Sequence, residues 1–442
     1  MTLVNLREWE TRHPEPGNVL YERSLVAHPT GRRLAEELTK SGRIEVLELT
    51  RGLELRATSF VGRFVLGELT VTVHPKISDA PLLNLFRYAY GLRDLELYGA
   101  ANFGSSQWTF QDLLVQQLAA EATELLERGV HREYECTYSN LATPRGRIDF
   151  ARYFDTIGRA QTTLPCVHHP RSEDTLLNRA LLGGLHFAAG LATGRELKAH
   201  VRRIGKMFGA TVTAQPINRS ILAEALRAMD RRTSAYRPAF TIIELLLGDQ
   251  GVALDDKRAQ VRLRGFLFDM NRFFQALISR FLREHLSGVE VQDEFRLKGM
   301  FKYVPEQNPL SRREPILRPD FVVKHRGQML AVLDAKYRDL WENSLPRDML
   351  YQLALYALGS GERLSAILYP TVDAAAREQQ IAIQEPVYGV PQARVALRPL
   401  NLLKLDQLLR GGPPSQSERV TLAKQLAFGY LTVPLFDTVD LP

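Results

Sequence analysis

Leu317-Arg-Pro-Asp-Phe-Val-Val-Lys324, His325-Arg-Gly-Gln328 and Met329-Leu-Ala-Val-Leu-Asp-Ala-Lys-Tyr337 form the stretch on which the fold turns. The outer segments are rich in branched and apolar residues, and the short polar segment between them carries a glycine, which reads as two strands joined by a tight turn. Side chains alternate along a strand, so Asp334 and Lys336 share one face. Centring the turn on Arg326-Gly327 places Asp320 opposite Leu333 or, with a one-residue longer loop, opposite Asp334 itself. Two carboxylates and an amine are thus expected at one end of a hairpin.

These residue types suit one chemistry. Magnesium prefers oxygen ligands in near-octahedral geometry and keeps several waters, so Asp320, Asp334 and the backbone carbonyl of Ala335 make a sufficient protein share of its shell, with Mn2+ an acceptable substitute. Such an ion polarises a phosphate and helps form hydroxide. Lys336 places a positive charge beside that water or the developing phosphorane. The bare pattern also fits a surface hairpin with an incidental ion pair.

Downstream residues add to the pattern. Asn343-Ser-Leu-Pro346 provides a polar cap and an early proline for a helix predicted over Arg347 to Leu358, stopping at Gly359. Asp348, Gln352 and Tyr356 recur every four residues and share one face of it. Arg363 to Tyr369 follows as an apolar strand. Gln352 is expected to face the site, with Tyr356 either beside it or anchoring the helix in the core.

The hairpin, helix and return strand together resemble the PD-(D/E)xK nuclease superfamily, with Gln352 and Tyr356 matching its helical Gln-x-x-x-Tyr element. The resemblance implies Mg2+-dependent DNA cleavage: Asp320 and Asp334 binding metal, Lys336 serving the attacking water, and Gln352 orienting that water or the lysine. Where many members carry an acid on an earlier helix, this chain has Gln275. Upstream, Phe60-Val-Gly62, Leu69 to Lys76, Arg128-Gly129 with Tyr134, Pro144 to Phe150, Cys166-Val-His168, Asp174 to Asn178 and Asp269-Met-Asn271 are similar, in order, to the McrC family of modified-cytosine restriction systems. That likeness implies the endonuclease subunit of a GTP-dependent McrBC-like complex, cutting double-stranded DNA, methylated or not, only with a partner AAA+ GTPase of McrB type whose turnover it stimulates. The chain has no Gly-x-x-x-x-Gly-Lys-[Ser/Thr] loop of its own. The alternative is a non-catalytic activator or scaffold of an AAA+ complex acting on DNA.

Composition fits this reading. The chain of 442 residues is 45% hydrophobic, carries a formal charge of +7 and has two cysteines, Cys136 and Cys166. It should form two or three domains with ample core. The charge favours a polyanionic partner, two thiols cannot build a disulfide framework, and no apolar run suggests a membrane span, so a cytoplasmic location is expected. The expected class is α+β multidomain: an N-terminal β-rich and helical partner-binding region, then an α/β PD-(D/E)xK nuclease domain. The divisions are 1–115 as a β-rich module, 116–247 as a helical region, 248–265 as a linker, 266–409 as the nuclease domain and 410–442 as a C-terminal linker and helix. His168 and His169 lie near Cys166, but their spacing does not suit zinc. Arg202, Arg203, Lys206, Arg231 and Arg232 read as ordinary solvated helix faces.

Overall fold

The computed structural model describes residues 2–77, 79–95, 109–154, 162–248 and 265–429. The expected linker 248–265 falls almost wholly outside them, as does the end of the expected last helix. Near the N-terminus, Phe60–Leu66 and Leu69–His74 form an antiparallel hairpin, and Thr2–Arg7 runs parallel to the second strand. A smaller sheet of Thr11–Arg12, Gly52–Ala57 and Ile44–Leu49 lies beside it, with helix Pro29–Lys40 against the pair. Leu34, Leu38, Leu55, Phe64 and Val71 close one core between them.

The described residues of 110–248 are mostly helical. Phe110–Arg128 stops at Gly129, whose φ of 88° a side chain would resist. Leu176–Leu191 begins at Thr175, whose hydroxyl accepts from the Asn178 amide at 3.4 Å. Arg195–Phe208 and Arg219–Ala228 follow, each burying one apolar stripe. Among the described residues no helix is long and apolar enough to cross a membrane.

The C-terminal sheet has six strands in the order Glu290–Asp293, Phe321–His325, Gln328–Ala335, Leu364–Thr371, Pro391–Asn401 and Gln379–Gln384. Its two central pairings are parallel and its outer ones antiparallel. Period-two alternation sorts the side chains between two layers. Leu333, Ala335, Ala366 and Leu368 face helix Met270–His285 through Phe274, Leu277 and Ile278. Val332, Ile367, Tyr369 and Val395 face helix Arg347–Gly359 through Leu353 and Tyr356.

One strand overturns the expected division into a partner-binding region and a separate nuclease domain. Gly265–Asp269 leads directly into Met270–His285, yet it pairs with Phe60–Leu66 and completes the N-terminal sheet. Both its faces are buried: Leu267 enters the N-terminal core, while Phe266 and Phe268 enter the large one. That large core runs without a break from Val61 and Phe86 through Leu181 and Phe240 to Phe273, Leu333 and Leu426. The architecture is a mixed α/β fold whose sheets share a core, and the α+β scheme of two successive units is corrected accordingly.

The close approach of this strand depends on Gly62, which has φ 134° and whose added Cβ would lie 2.3 Å from the Phe266 carbonyl oxygen. Gly62→Ala is expected to cost about 1–3 kcal/mol and lower the thermal midpoint measured by scanning fluorimetry. An unchanged midpoint would show that Gly265–Asp269 does not pair there.

Candidate functional site

The site begins at the turn. Arg326 and Gly327 have φ of 48° and 84°, so both central residues occupy the left-handed region that a type I′ hairpin turn requires. His325 pairs with Gln328 and Lys324 with Met329, but the next pair is Val323 with Ala331, leaving Leu330 as an extra residue. This bulge shifts the register so that Phe321 faces Leu333. Continuing it by one residue sets Asp320 opposite Asp334, the second of the two registers the sequence allowed.

The geometry holds Asp320 firmly. Its Oδ2 accepts from the Ala335 amide at 2.8 Å, and its own carbonyl accepts from the Glu294 amide at 2.9 Å. Asp334 shares the face of Val332, and the Lys336 backbone continues the ladder by donating to the Leu368 carbonyl at 3.0 Å. Both carboxyls titrate above the ordinary carboxylate range. Burial is the leading cause for each, and for Asp334, pushed up to about 7, the second is the charge of Asp320. Lys336 lies near enough to favour the ionised form of both. Asp320, Asp334 and Lys336 are therefore brought together, as the sequence suggested.

Gln352 and Tyr356 meet the site less directly. Tyr356 is buried, and its hydroxyl donates to the Arg318 carbonyl at 3.0 Å while accepting from Gln352 Nε2 at 2.6 Å. Burial pushes the phenol up to about 12. The tyrosine thus pins Arg318-Pro-Asp320 to the helix. Gln352 is exposed, and its amide donates to that hydroxyl rather than to a carboxylate.

Two further residues border the carboxylates. Gln275, on Met270–His285, hydrogen-bonds the Asp320 carboxylate, so the earlier-helix position does reach the site but with an amide. Glu294 was not singled out from the sequence. It has φ 47° and lies near enough to push Asp320 upward, and only a pairing across the sheet edge brings it there. Both line a cavity of about 560 Å³ together with Arg272, Ser279 and Asp320. Among the described residues no group of three His, Cys, Asp or Glu side chains is disposed around a common metal position. The oxygens that could hold a metal here are those of Asp320, Asp334 and the Ala335 carbonyl, a set that would suit a hard, heavily hydrated cation and not a thiolate- or imidazole-seeking one. His168 Nε2 lies 2.8 Å from Ser139 Oγ on the neighbouring strand.

Comparison with known proteins adds the context. A family model described as McrBC 5-methylcytosine restriction system component matches residues 55–370. Among solved structures, one from Thermococcus gammatolerans, described as a half-complex from a tetradecameric assembly of McrB AAA+ hexamers with bound McrC, aligns with TM-score 0.61 at 18% identity. The alignment covers 90% of this chain and 94% of that one. A second, the T. gammatolerans McrBC complex, aligns with TM-score 0.45 at 18% identity over 65% of this chain and 88% of that one. No curated protein matches the chain.

These findings correct four expectations. The likeness to McrC as nuclease subunit, the PD-(D/E)xK domain following a separate partner-binding region, the role of endonuclease subunit and the Mg2+-dependent DNA endonuclease activity all go further than the matches. The family description stops at a component of the system, and the fold match is described first by McrB AAA+ hexamers; neither description names a nuclease. What the comparisons carry is a mixed α/β fold and a place in the restriction system. With well over half of its length matched, the chain belongs to the McrBC 5-methylcytosine restriction system component family.

Proposed function

We propose that this chain, as one component of a McrBC-type restriction assembly, holds a divalent cation, Mg2+ or Mn2+, between Asp320 and Asp334, with the Ala335 carbonyl as a further ligand. The observation that carries this reading is the pair of half-buried carboxyls, Asp320 and Asp334, brought together at the end of the hairpin with Lys336 beside them. Bringing like charges together at a half-buried site is costly, and a bound cation removes that cost. When bound, the ion supplies a Lewis acid toward a phosphate oxygen. Asp320 is oriented by the Ala335 amide and Gln275, Lys336 adds a cationic amine to the same face, and Tyr356 fixes the segment carrying Asp320. The ligand class such a centre takes is a phosphate ester, the chemistry shared by nucleotides and nucleic-acid backbones. Assembly with other components of the system is part of the proposal, since the neighbour of similar fold is described with McrC bound to McrB hexamers.

A McrB-like AAA+ GTPase is a second reading, favoured by the description of that structure. It requires a phosphate-cradling loop, and the sequence contains no Gly-x-x-x-x-Gly-Lys-[Ser/Thr]. GTP turnover by the purified chain separates the two: hydrolysis that survives Asp334→Ala would favour the second reading.

Titration with Mn2+ followed by electron paramagnetic resonance is expected to show a site in the wild-type chain that Asp334→Ala abolishes. Because proton and metal compete for the same oxygens, affinity should climb as pH rises through about 7, the value to which Asp334 is raised. Equal binding by Asp334→Ala would sink the assignment.

Stability without metal should show the reverse slope. The folded-state value for Asp334 lies above its ordinary 3.8, so the native chain keeps this proton longer than the unfolded one. Its stabilising contribution is full below the ordinary carboxylate range, declines as pH rises, and is lost above about 7. Asp334→Asn is expected to flatten this part of the pH profile of the thermal midpoint, and Mg2+ to restore stability at high pH only in the wild type.

A further inference from the structure

Residues 294–320 join Glu290–Asp293 to Phe321–His325 and contain neither helix nor strand. Connections longer than about 12–15 residues without secondary structure are uncommon in compact domains and are usually functional or disordered. This one is built. Leu297 and Leu317 form a bridge at its neck, with the Leu297 amide donating to the Leu317 carbonyl at 2.9 Å. Met300 packs on Gly359, where an added Cβ would come within 2.8 Å of the Met300 sulfur. At the far end, Asn308 closes a turn: its Nδ2 donates to the Arg312 carbonyl and its Oδ1 accepts from the Arg312 amide, both at 2.8 Å.

The charge on this loop is predominantly cationic. Arg296, Lys298, Lys302, Arg312, Arg313 and Arg318 are exposed, and among the described residues none makes an ion pair. On the neighbouring helix, by contrast, Arg280 pairs with Glu284 at 2.6 Å and Arg283 with Asp293 at 2.8 Å. The loop's own acids, Glu306 and Glu314, leave its cations in excess. Tyr303, Val304 and Leu310 are exposed among them, at 39%, 67% and 70%.

We propose that residues 296–318 form the surface by which this chain grips the phosphate backbone of a duplex nucleic acid and lays it across the Asp320–Asp334 centre. The proposal rests on the phosphate-ester reading of that centre and names its ligand. A run of unpaired lysines and arginines along one ordered loop that ends at a carboxylate pair suits a polyanion, and counterion release makes such contacts strong in low salt. The loop ends at Arg318-Pro-Asp320, so a ligand lying along it reaches the carboxylates without a break. A nucleotide carries too few phosphates to engage the loop's cations and the carboxylate centre together, and an acidic protein docked on the loop would have no need of the cation centre. A phosphodiester chain uses both.

The test is fluorescence anisotropy of a labelled DNA duplex with the full chain in EDTA, over a series of salt concentrations. The triple variant Lys302→Gln/Arg312→Gln/Arg313→Gln is expected to bind at least tenfold more weakly in moderate salt, with the slope of log K against log salt shallower by about 0.9 for each lost contact. The double variant Arg312→Gln/Arg313→Gln, whose turn is held by backbone groups and Asn308, should show a smaller change of the same sign at an unchanged thermal midpoint. The triple variant should still bind Mn2+, a result that separates failure of the loop from failure of the metal reading. Unchanged affinity and slope in the triple variant, or no binding by the wild type, overturns the proposal. So does a triple variant normal on DNA but unable to join the partner hexamer, which would make the loop a protein-docking surface.

Discussion

The position of the Gly265–Asp269 strand is the constraint on which the rest of the structure depends. Its two faces belong to different cores, so neither can be completed without the other. Its last residue, Asp269, caps the helix that follows by accepting from the Asn271 amide at 2.9 Å. Asn271 then acts as a node: its Nδ2 donates to Ser59 Oγ at 2.6 Å, and its Oδ1 accepts from the Tyr337 amide at 3.1 Å. Ser59 precedes the N-terminal hairpin and Tyr337 follows Lys336. One amide side chain therefore ties the N-terminal sheet to the strand that carries the site.

A second tie crosses the same boundary. Glu8 follows the first strand and is buried, with Oε1 accepting from the Lys76 amide and, at 3.2 Å, from the Tyr337 hydroxyl. Burial pushes its carboxyl up to about 7, and Oε2 has no partner among the described residues. Leaving a buried acceptor unsatisfied usually costs about 1–3 kcal/mol, so this contact is poor as a source of stability. Its consequence is positional: with Asn271, it fixes both ends of Tyr337 and hence the direction in which Lys336 leaves the sheet.

Local chemistry made the hairpin and its helix readable from sequence. Arg326-Gly327 announced the turn, strand alternation announced the common face of Asp334 and Lys336, and Pro346 and Gly359 bracketed the helix within a residue of its observed ends. The register was not decided, because Leu330 is an ordinary apolar residue and nothing in its type marks a bulge. Glu294 was missed for a similar reason: it approaches Asp320 through pairing between strands, which the spacing of residues along the chain does not reveal. The joining strand was harder still. Gly265-Phe-Leu-Phe-Asp269 reads as a short apolar run beside a helix, and its partner lies some two hundred positions earlier. Non-local pairing of this kind leaves no periodic signal, which is why a boundary was expected where the structure has a seam.

Helix Arg347–Gly359 shows why site and loop should be regarded as one device. In its last turn Tyr356 holds the Arg318 carbonyl, and at its end Gly359 receives Met300. The loop is thus fastened at both ends to the helix that packs over the carboxylate face of the sheet. Movement of the cationic turn around Asn308 therefore meets the Tyr356 anchor at Arg318 before it reaches Asp320, two residues on across the rigid ring of Pro319. Asp334 sits on a central strand with parallel pairing to its neighbour, and Asp320 is tied to that strand by the Ala335 amide. The separation of the two carboxylates is thus set by the sheet, and the loop is hung from it.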